Sequence, residues 1–150
     1  EGEIYRGASG QAGEIGYLPM ADKKFEKIAS TTALINKANE LYPEKNYTNG
    51  KIIFEAIENG DKEAIDLLDD MTNNLARGVA TIMLILSPKV ILIGGGISEQ
   101  REKFINPIRK KVKNLVPENV FKSTTITNTL LGNKSGLYGA YHLFKTKYEV

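Results

Sequence analysis

Pro88-Lys89-Val90-Ile91-Leu92-Ile93-Gly94-Gly95-Gly96-Ile97-Ser98 is the stretch on which the fold turns. Val90 to Ile93 form an apolar run with no polar alternation, which predicts a strand covered on both faces and therefore parallel to its neighbour. Three glycines end it, and Ser98 is placed to cap a following helix with Phe104, Ile105, Ile108, Val112 and Leu115 inward. Asn106-Pro107 marks a restart or kink in that helix, and Pro117 ends it. Upstream, Ser87-Pro88 stops a long helix capped by Asp61, whose stripe runs through Ala64, Leu68, Met71, Leu75, Val79, Ile82 and Leu86. Residues 79–86 are apolar on nearly every side, so that end is expected to lie deeply buried against the sheet. A short helix over residues 51–58 and a loop over 42–50 precede it. Before the loop, Asp22 is placed to cap a helix to about residue 41, with Phe25, Ile28, Ala29, Ile35 and Ala38 at helical spacing. Residues 3–6 read as a first strand and 123–129 as a last one. Residues 135–147 read as a closing helix with Leu137, Ala140, Tyr141 and Phe144 inward. The alternation predicts an α/β fold, a mostly parallel sheet flanked by helices, in a single unit without repeats.

Composition narrows the function. The 150 residues are 41% hydrophobic and 25% charged, within the globular range. Twenty basic against eighteen acidic side chains leave a net charge of +2, too little to imply a nucleic-acid partner. The absence of cysteine removes disulfides and thiolate metal sites, and fits a cytoplasmic setting. The longest apolar stretch, residues 79–86, falls far short of the roughly 20 residues a membrane span needs. The sequence opens on Glu1 with no initiator methionine and no signal pattern, so a piece of a longer gene product is the expectation.

Two constellations could carry chemistry. The turn Gly94-Gly95-Gly96 lets a ligand approach the backbone at a strand end, where open α/β sheets bind ligands, although a plain strand-to-helix turn has the same pattern. It lacks the GxGxxG spacing, which disfavours a dinucleotide and leaves a mononucleotide open. The second is Gly7-Ala8-Ser9-Gly10-Gln11-Ala12-Gly13-Glu14-Ile15-Gly16-Tyr17. Glu14 sits there either as a ligand for neutral hydroxyls or as an exposed turn glutamate. Tyr17 reads as a packed aromatic or as a ligand contact. Glu26 stands in the first turn of a helix, which accounts for its charge by itself. His142 has no histidine, cysteine or serine motif beside it, so no triad and no metal cluster is visible. The basic run Arg109-Lys110-Lys111 with Lys113 reads as a solvated helix face, or less readily as a partner surface.

In this order and spacing the pieces resemble the C-terminal half of a ROK-family protein, a group of sugar kinases and sugar-responsive repressors. The segment through Glu14-Ile15-Gly16-Tyr17 resembles the family's AGEIGH motif. Phe25-Glu26-Lys27-Ile28-Ala29-Ser30 resembles the helix start that follows its zinc loop. Residues 88–98 resemble the strand and turn near the adenosine, and Ser135-Gly136-Leu137-Tyr138-Gly139-Ala140 the final helix. The resemblance implies an actin-like ATPase (ribonuclease H-like) lobe in which Glu14, Tyr17 and Glu26 bind sugar and Gly94, Gly95 and Gly96 lie against ATP. It implies a catalytic aspartate, phosphate loops and Mg²⁺ supplied mainly by an N-terminal lobe absent from this chain, so that residues 1–150 alone do not turn over. The family's histidine after Glu-Ile-Gly is Tyr17 here, and its cysteine-bearing zinc loop is reduced to residues 18–24, so no zinc is expected. A homodimer and a hexose or amino-sugar kinase are the implied assembly and activity. The alternative is the effector-binding lobe of a sugar-responsive repressor. The Glu14 loop and the triple-glycine corner are expected to line opposite walls of one cleft.

Overall fold

A computed structural model describes residues 3–148, apart from the side chains of Ser98, Glu99 and Asn133. Residues 3–6 form no strand; they are exposed backbone leading into the glycine-rich loop. A 3-10 turn, Ile15–Tyr17, leads to a minimal antiparallel hairpin of β1 (Pro19–Met20) and β2 (Lys23–Lys24). The single helix expected up to residue 41 is two helices, α1 (Glu26–Ala29) and α2 (Thr31–Leu41). Ser30 makes the break: its backbone is extended and its hydroxyl accepts the Ala33 N–H at 3.1 Å, which caps α2. Asp22 lies in the hairpin turn instead. Within the expected loop a 3-10 turn, Pro43–Lys45, precedes α3 (Gly50–Glu58), which Asn49 caps through the Ile52 N–H at 3.1 Å.

The spine is α4 (Lys62–Leu86), 25 residues long and capped by Asp61 as the sequence predicts. Ser87 ends it in the left-handed region at φ 44°, and Pro88 forbids continuation. β3 (Val90–Ile93), α5 (Glu102–Lys113), α6 (Glu118–Ser123), β4 (Thr125–Asn128) and α7 (Ser135–Tyr148) complete the chain. A 3-10 turn, Gly96–Gln100, replaces the helix start expected at Ser98, and α5 begins at Glu102 and runs on through Pro107. The cap expected of the Ser98 side chain lies outside the described residues.

β3 and β4 pair in parallel, Val90 opposite Thr125 through Ile93 opposite Asn128, with α5 and α6 in the crossover. The class is α/β, and the parallel pairing agrees with the sequence. The coverage does not. Among the described residues the parallel sheet has two strands, and helices cover one face only. Ile126 is buried and Ile91 and Ile93 half-buried, whereas Val90 and Leu92 are 51% and 60% exposed. The apolar end of α4 divides in the same way: Val79, Ala80 and Met83 are buried, but Leu84, Ile85 and Leu86 face solvent. Nothing on α7 is buried, so Leu137, Ala140, Tyr141 and Phe144 are exposed rather than inward, as is Leu115 after α5. Among the described residues no helix is long and apolar enough to cross a membrane.

The core forms where α5 lies along α4. Phe104, Ile105, Ile108 and Val112 are fully buried in one cluster with Leu67, Met71 and Ala76, and Phe104 meets Phe54 edge-on at 6.5 Å between ring centres. Two members of the basic run are spent inside this packing, which corrects the expectation of a solvated face. Lys111 gives its three donors to the Asp69 carbonyl (2.6 Å), the Asp69 carboxylate (2.7 Å) and the Thr72 hydroxyl (2.7 Å). Arg109 Nε donates to the Ile126 carbonyl at 2.7 Å and so ties α5 to β4. Lys110 and Lys113 remain exposed.

A charged latch fixes the start of α4. Lys45 Nζ donates to Asp61 at 2.6 Å and to Glu63 at 2.9 Å. The Lys45 hydrogen bond, and then the Ala64 N–H, hold the Asp61 carboxyl well below the usual carboxylate range, while its two acidic partners push Lys45 up. A depressed carboxyl stabilises the fold fully above its unfolded value of about 4, and that contribution is lost as pH falls through its folded value. Asp61→Asn is therefore expected to lower Tm by several degrees at neutral pH and to lose less stability than the wild type when acidified from about pH 6 to 3. Thermal unfolding followed by circular dichroism across that range checks both.

Candidate functional site

The glycine-rich opening is built to expose backbone. Gly13 sits at φ 91°, a conformation side chains other than glycine rarely adopt, and open space surrounds it. The loop closes on itself through Ala12 N–H to Arg6 (3.1 Å) and Glu14 N–H to Gln11 (3.3 Å), which delivers Glu14 to the 3-10 turn. That turn meets the start of α1. A Cβ at Gly16 would stand 3.5 Å from both Cβ and Oε2 of Glu26, so the Glu26 side chain lies directly over the turn that carries Glu14 and Tyr17. The Phe25 N–H donates to the Leu18 carbonyl at 2.9 Å and closes the hairpin between them. The structure thus brings Glu14, Tyr17 and Glu26 into one neighbourhood, with all three exposed. Lys24 Nζ stands 4.2 Å from the centre of the exposed Tyr17 ring, a cation–π contact that restrains it. Lys27 Nζ stands 4.0 Å from the Glu26 carboxylate.

Glu26 borders an open groove of about 640 Å³ between α1, α2 and α4, within the usual size of small-molecule sites. Lys23, Ser30, Asn36, Lys37 and Asp70 give it a polar lining, with Lys37 paired to Asp70 at 2.8 Å.

The glycine corner lies elsewhere. Gly95 has φ 91° and open space beside its Cα, whereas a Cβ at Gly94 would touch Thr129 at 3.4 Å. Gly96, Ile97 and Gln100 border a second groove, of about 690 Å³, whose far wall is Thr31, Asn49, Gly50, Lys51 and Phe54. The Glu14 loop and the triple-glycine corner do not share the one cleft expected of them: no residue of the Glu14 loop borders either groove, and of the three glycines only Gly96 borders the second. The two grooves meet at the junction of α1 and α2, where Ser30 lines the first and its neighbour Thr31 the second.

The sequence reading missed the wall opposite Gly96. Asn49-Gly50 before the apolar run Ile52-Ile53-Phe54 is a helix-start signal that could have located it. The first turn of α3 there presents the Gly50 and Lys51 backbone amides beside the Lys51 ammonium, which stands 3.8 Å from the Glu55 carboxylate; a helix start of this kind favours anions. The donor set suits an anion opposite Gly96, the member of the triple glycine that borders this groove. For a metal there is no such fit: among the described residues no group of three or more histidine, aspartate or glutamate side chains could hold an ion. His142 lies exposed on α7, away from both grooves.

Comparison with known proteins gives this geometry a setting. Residues 1–147 match the family model described as ROK family. The chain is 28% identical over 170 residues to a glucokinase of Thermotoga maritima, covering 97% of this chain and 53% of that protein. It superposes at a TM-score of 0.81 and 26% identity on the crystal structure of a ROK family glucokinase from Streptomyces griseus in complex with glucose and AMPPNP, covering 94% of this chain and 54% of that one. A ROK family protein from Streptococcus pneumoniae in complex with sucrose matches at a TM-score of 0.83 and 26% identity, covering 99% and 53%. The chain spans about half the length of the curated relatives it matches, and corresponds to their C-terminal half.

Loss of the Asn49 cap is expected to loosen the second groove's far wall. Asn49→Ala should cost about 1 kcal/mol in urea unfolding, and Asn49→Asp, which restores an accepting oxygen, should recover most of it.

Proposed function

The chain belongs to the ROK family, and on that footing we propose that it is the C-terminal, sugar- and nucleotide-binding lobe of an ATP-dependent hexose or amino-sugar kinase with an actin-like ATPase fold. The observation that carries the reading is the seating of Glu26 over Gly16. It lays the Glu26 carboxylate over the turn whose backbone carries Glu14 and Tyr17. Carboxylates accept hydrogen bonds from neutral hydroxyls at roughly 1.5–3 kcal/mol each, so two of them, fixed by different elements, orient a sugar rather than merely attract it. The Tyr17 hydroxyl reaches a further sugar oxygen from the rim, where Lys24 restrains the ring.

The glycine corner and its groove would hold the nucleotide. Gly94, Gly95 and Gly96 offer backbone, and the α3 start with Lys51 offers positive charge. ATP, when bound, supplies the phosphoryl group. This lobe's own task is to bind and orient: it would hold the sugar at Glu14 and Glu26 and the nucleotide at the glycine corner. In-line transfer also needs a base within hydrogen-bond reach of the attacking hydroxyl and charge to stabilise the moving phosphoryl group. We assign the aspartate base and the Mg²⁺ ligands to a preceding N-terminal half. That half would also cover the open face of β3, the end of α4 and the apolar side chains of α7. A homodimer in the cytoplasm is the proposed setting.

The full-length gene product, given ATP, Mg²⁺ and a panel of hexoses and amino sugars, is expected to release ADP with at least one sugar. Sugar binding without ADP release would move the reading to an effector-binding repressor lobe. In the active protein, Glu14→Gln and Glu26→Gln should each raise the KM for sugar roughly tenfold or more with little change in the KM for ATP. Equal losses for both substrates would remove the sugar assignment.

A further inference from the structure

We infer that Gly78, at the middle of α4, is a positioning residue for the sugar-binding carboxylate and acts through the ring of Phe25. The inference rests on the reading of Glu26 as a sugar ligand. Glycine inside a helix is destabilising relative to alanine, and Gly78 has no left-handed φ to explain its presence. Packing explains it. A Cβ built on Gly78 would fall against Cζ and Cε2 of Phe25 and within 3.0 Å of Cε1, so the buried ring occupies the place where any larger residue would begin. One turn earlier on α4, Asn74 Nδ2 donates to the Ile28 carbonyl at 3.3 Å. The long helix therefore grips α1 at two points, one through a side chain and one through the main chain.

Glu26 lies between those grips. Its neighbour Phe25 also donates its N–H to Leu18, just past the turn that carries Glu14 and Tyr17. A shift of the ring is thus passed to both walls of the sugar site: to Glu26 through the backbone of α1, and to the turn through the Phe25–Leu18 hydrogen bond. The second groove is reached only beyond Ser30, where the extended backbone breaks the helix. Nucleotide binding should not follow.

The test is made in the full-length gene product. Gly78→Ala is expected to raise the KM for sugar roughly tenfold, the loss of about one charge-assisted hydrogen bond, while the KM for ATP stays within a factor of two. Phe25→Leu combined with Gly78→Ala, which removes the ring atoms that the new methyl would meet, should bring the sugar KM back toward the wild type. A crystal structure of Gly78→Ala supplies a readout that needs no sugar: Glu26 should move off Gly16. If the wild type shows no sugar chemistry yet Glu26 moves in the variant, the positioning stands and the kinase reading fails. Should Gly78→Ala fail to fold while the double variant folds, the ring–glycine contact is likewise upheld. An unmoved Glu26, equal rises in both KM values, or a double variant no better than the single one would overturn the inference.

Discussion

One aromatic ring resting on one bare backbone governs how this lobe is assembled. Phe25 lies against Gly78, and the contact is possible only because α4 presents no side chain there. α4 carries the hydrophobic core along one side, where α5 docks, and α1 with its glycine-rich turn along another. A helix of 25 residues whose start is fixed by Asp61 and Lys45, and whose end is fixed by Ser87, cannot slide without breaking those ends. The ring converts that fixed frame into a fixed place for Glu26. Interiors are packed like crystals, so a displacement of the ring by one methyl group must move something.

The sequence showed most clearly what depends on local chemistry. The cap at Asp61, the stop at Ser87-Pro88 and the parallel strand at Val90 to Ile93 are all present, because each follows from a few adjacent residues. Ser30 was a harder case. Residues on either side of it keep helical spacing, and only its own hydroxyl, bonded forward to Ala33, shows that the chain stops and restarts. Apolar periodicity misled in a different manner. It identifies side chains that gain from leaving water but not what they meet, and so it could not distinguish Ile126, which is buried, from Leu92, which is not. Lys111 shows the converse. Nothing in a run of four basic residues marks the one whose three protons are all satisfied inside the packing.

The site divides along the same line. Glu14 drew attention because glycine density around a lone carboxylate is unusual, and Glu26 because it resembled a family pattern. The seating of Glu26 over Gly16 was not legible, since it depends on a hairpin of two-residue strands that no periodicity signals. The wall opposite Gly96 went unseen for a further reason. Thr31 and Asn49 lie 65 and 47 residues before Gly96, and each already has a sufficient local role at the start of a helix.

The distribution of exposed apolar surface bears on the proposed reading. Leu84 to Leu86, Val90 and Leu92, and the leucine and aromatic side chains of α7 belong to three elements, α4, β3 and α7. Each such side chain gains roughly 1.5–3 kcal/mol on full burial. Marginal folds stand only about 5–15 kcal/mol above unfolding, so a cover for these elements would weigh heavily against the internal terms described above. Glu26, the proposed sugar ligand, by contrast, is held in place by contacts internal to this chain: Phe25 on Gly78, Asn74 on Ile28, and Phe25 on Leu18. If the preceding half seats on the bare surfaces, as proposed, its arrival completes the chemistry without having to build the carboxylate pair. A binding wall that is preorganised on one side of a closing site spends less of the sugar's binding energy on ordering the protein, and leaves more of it to orient the hydroxyl that is to react.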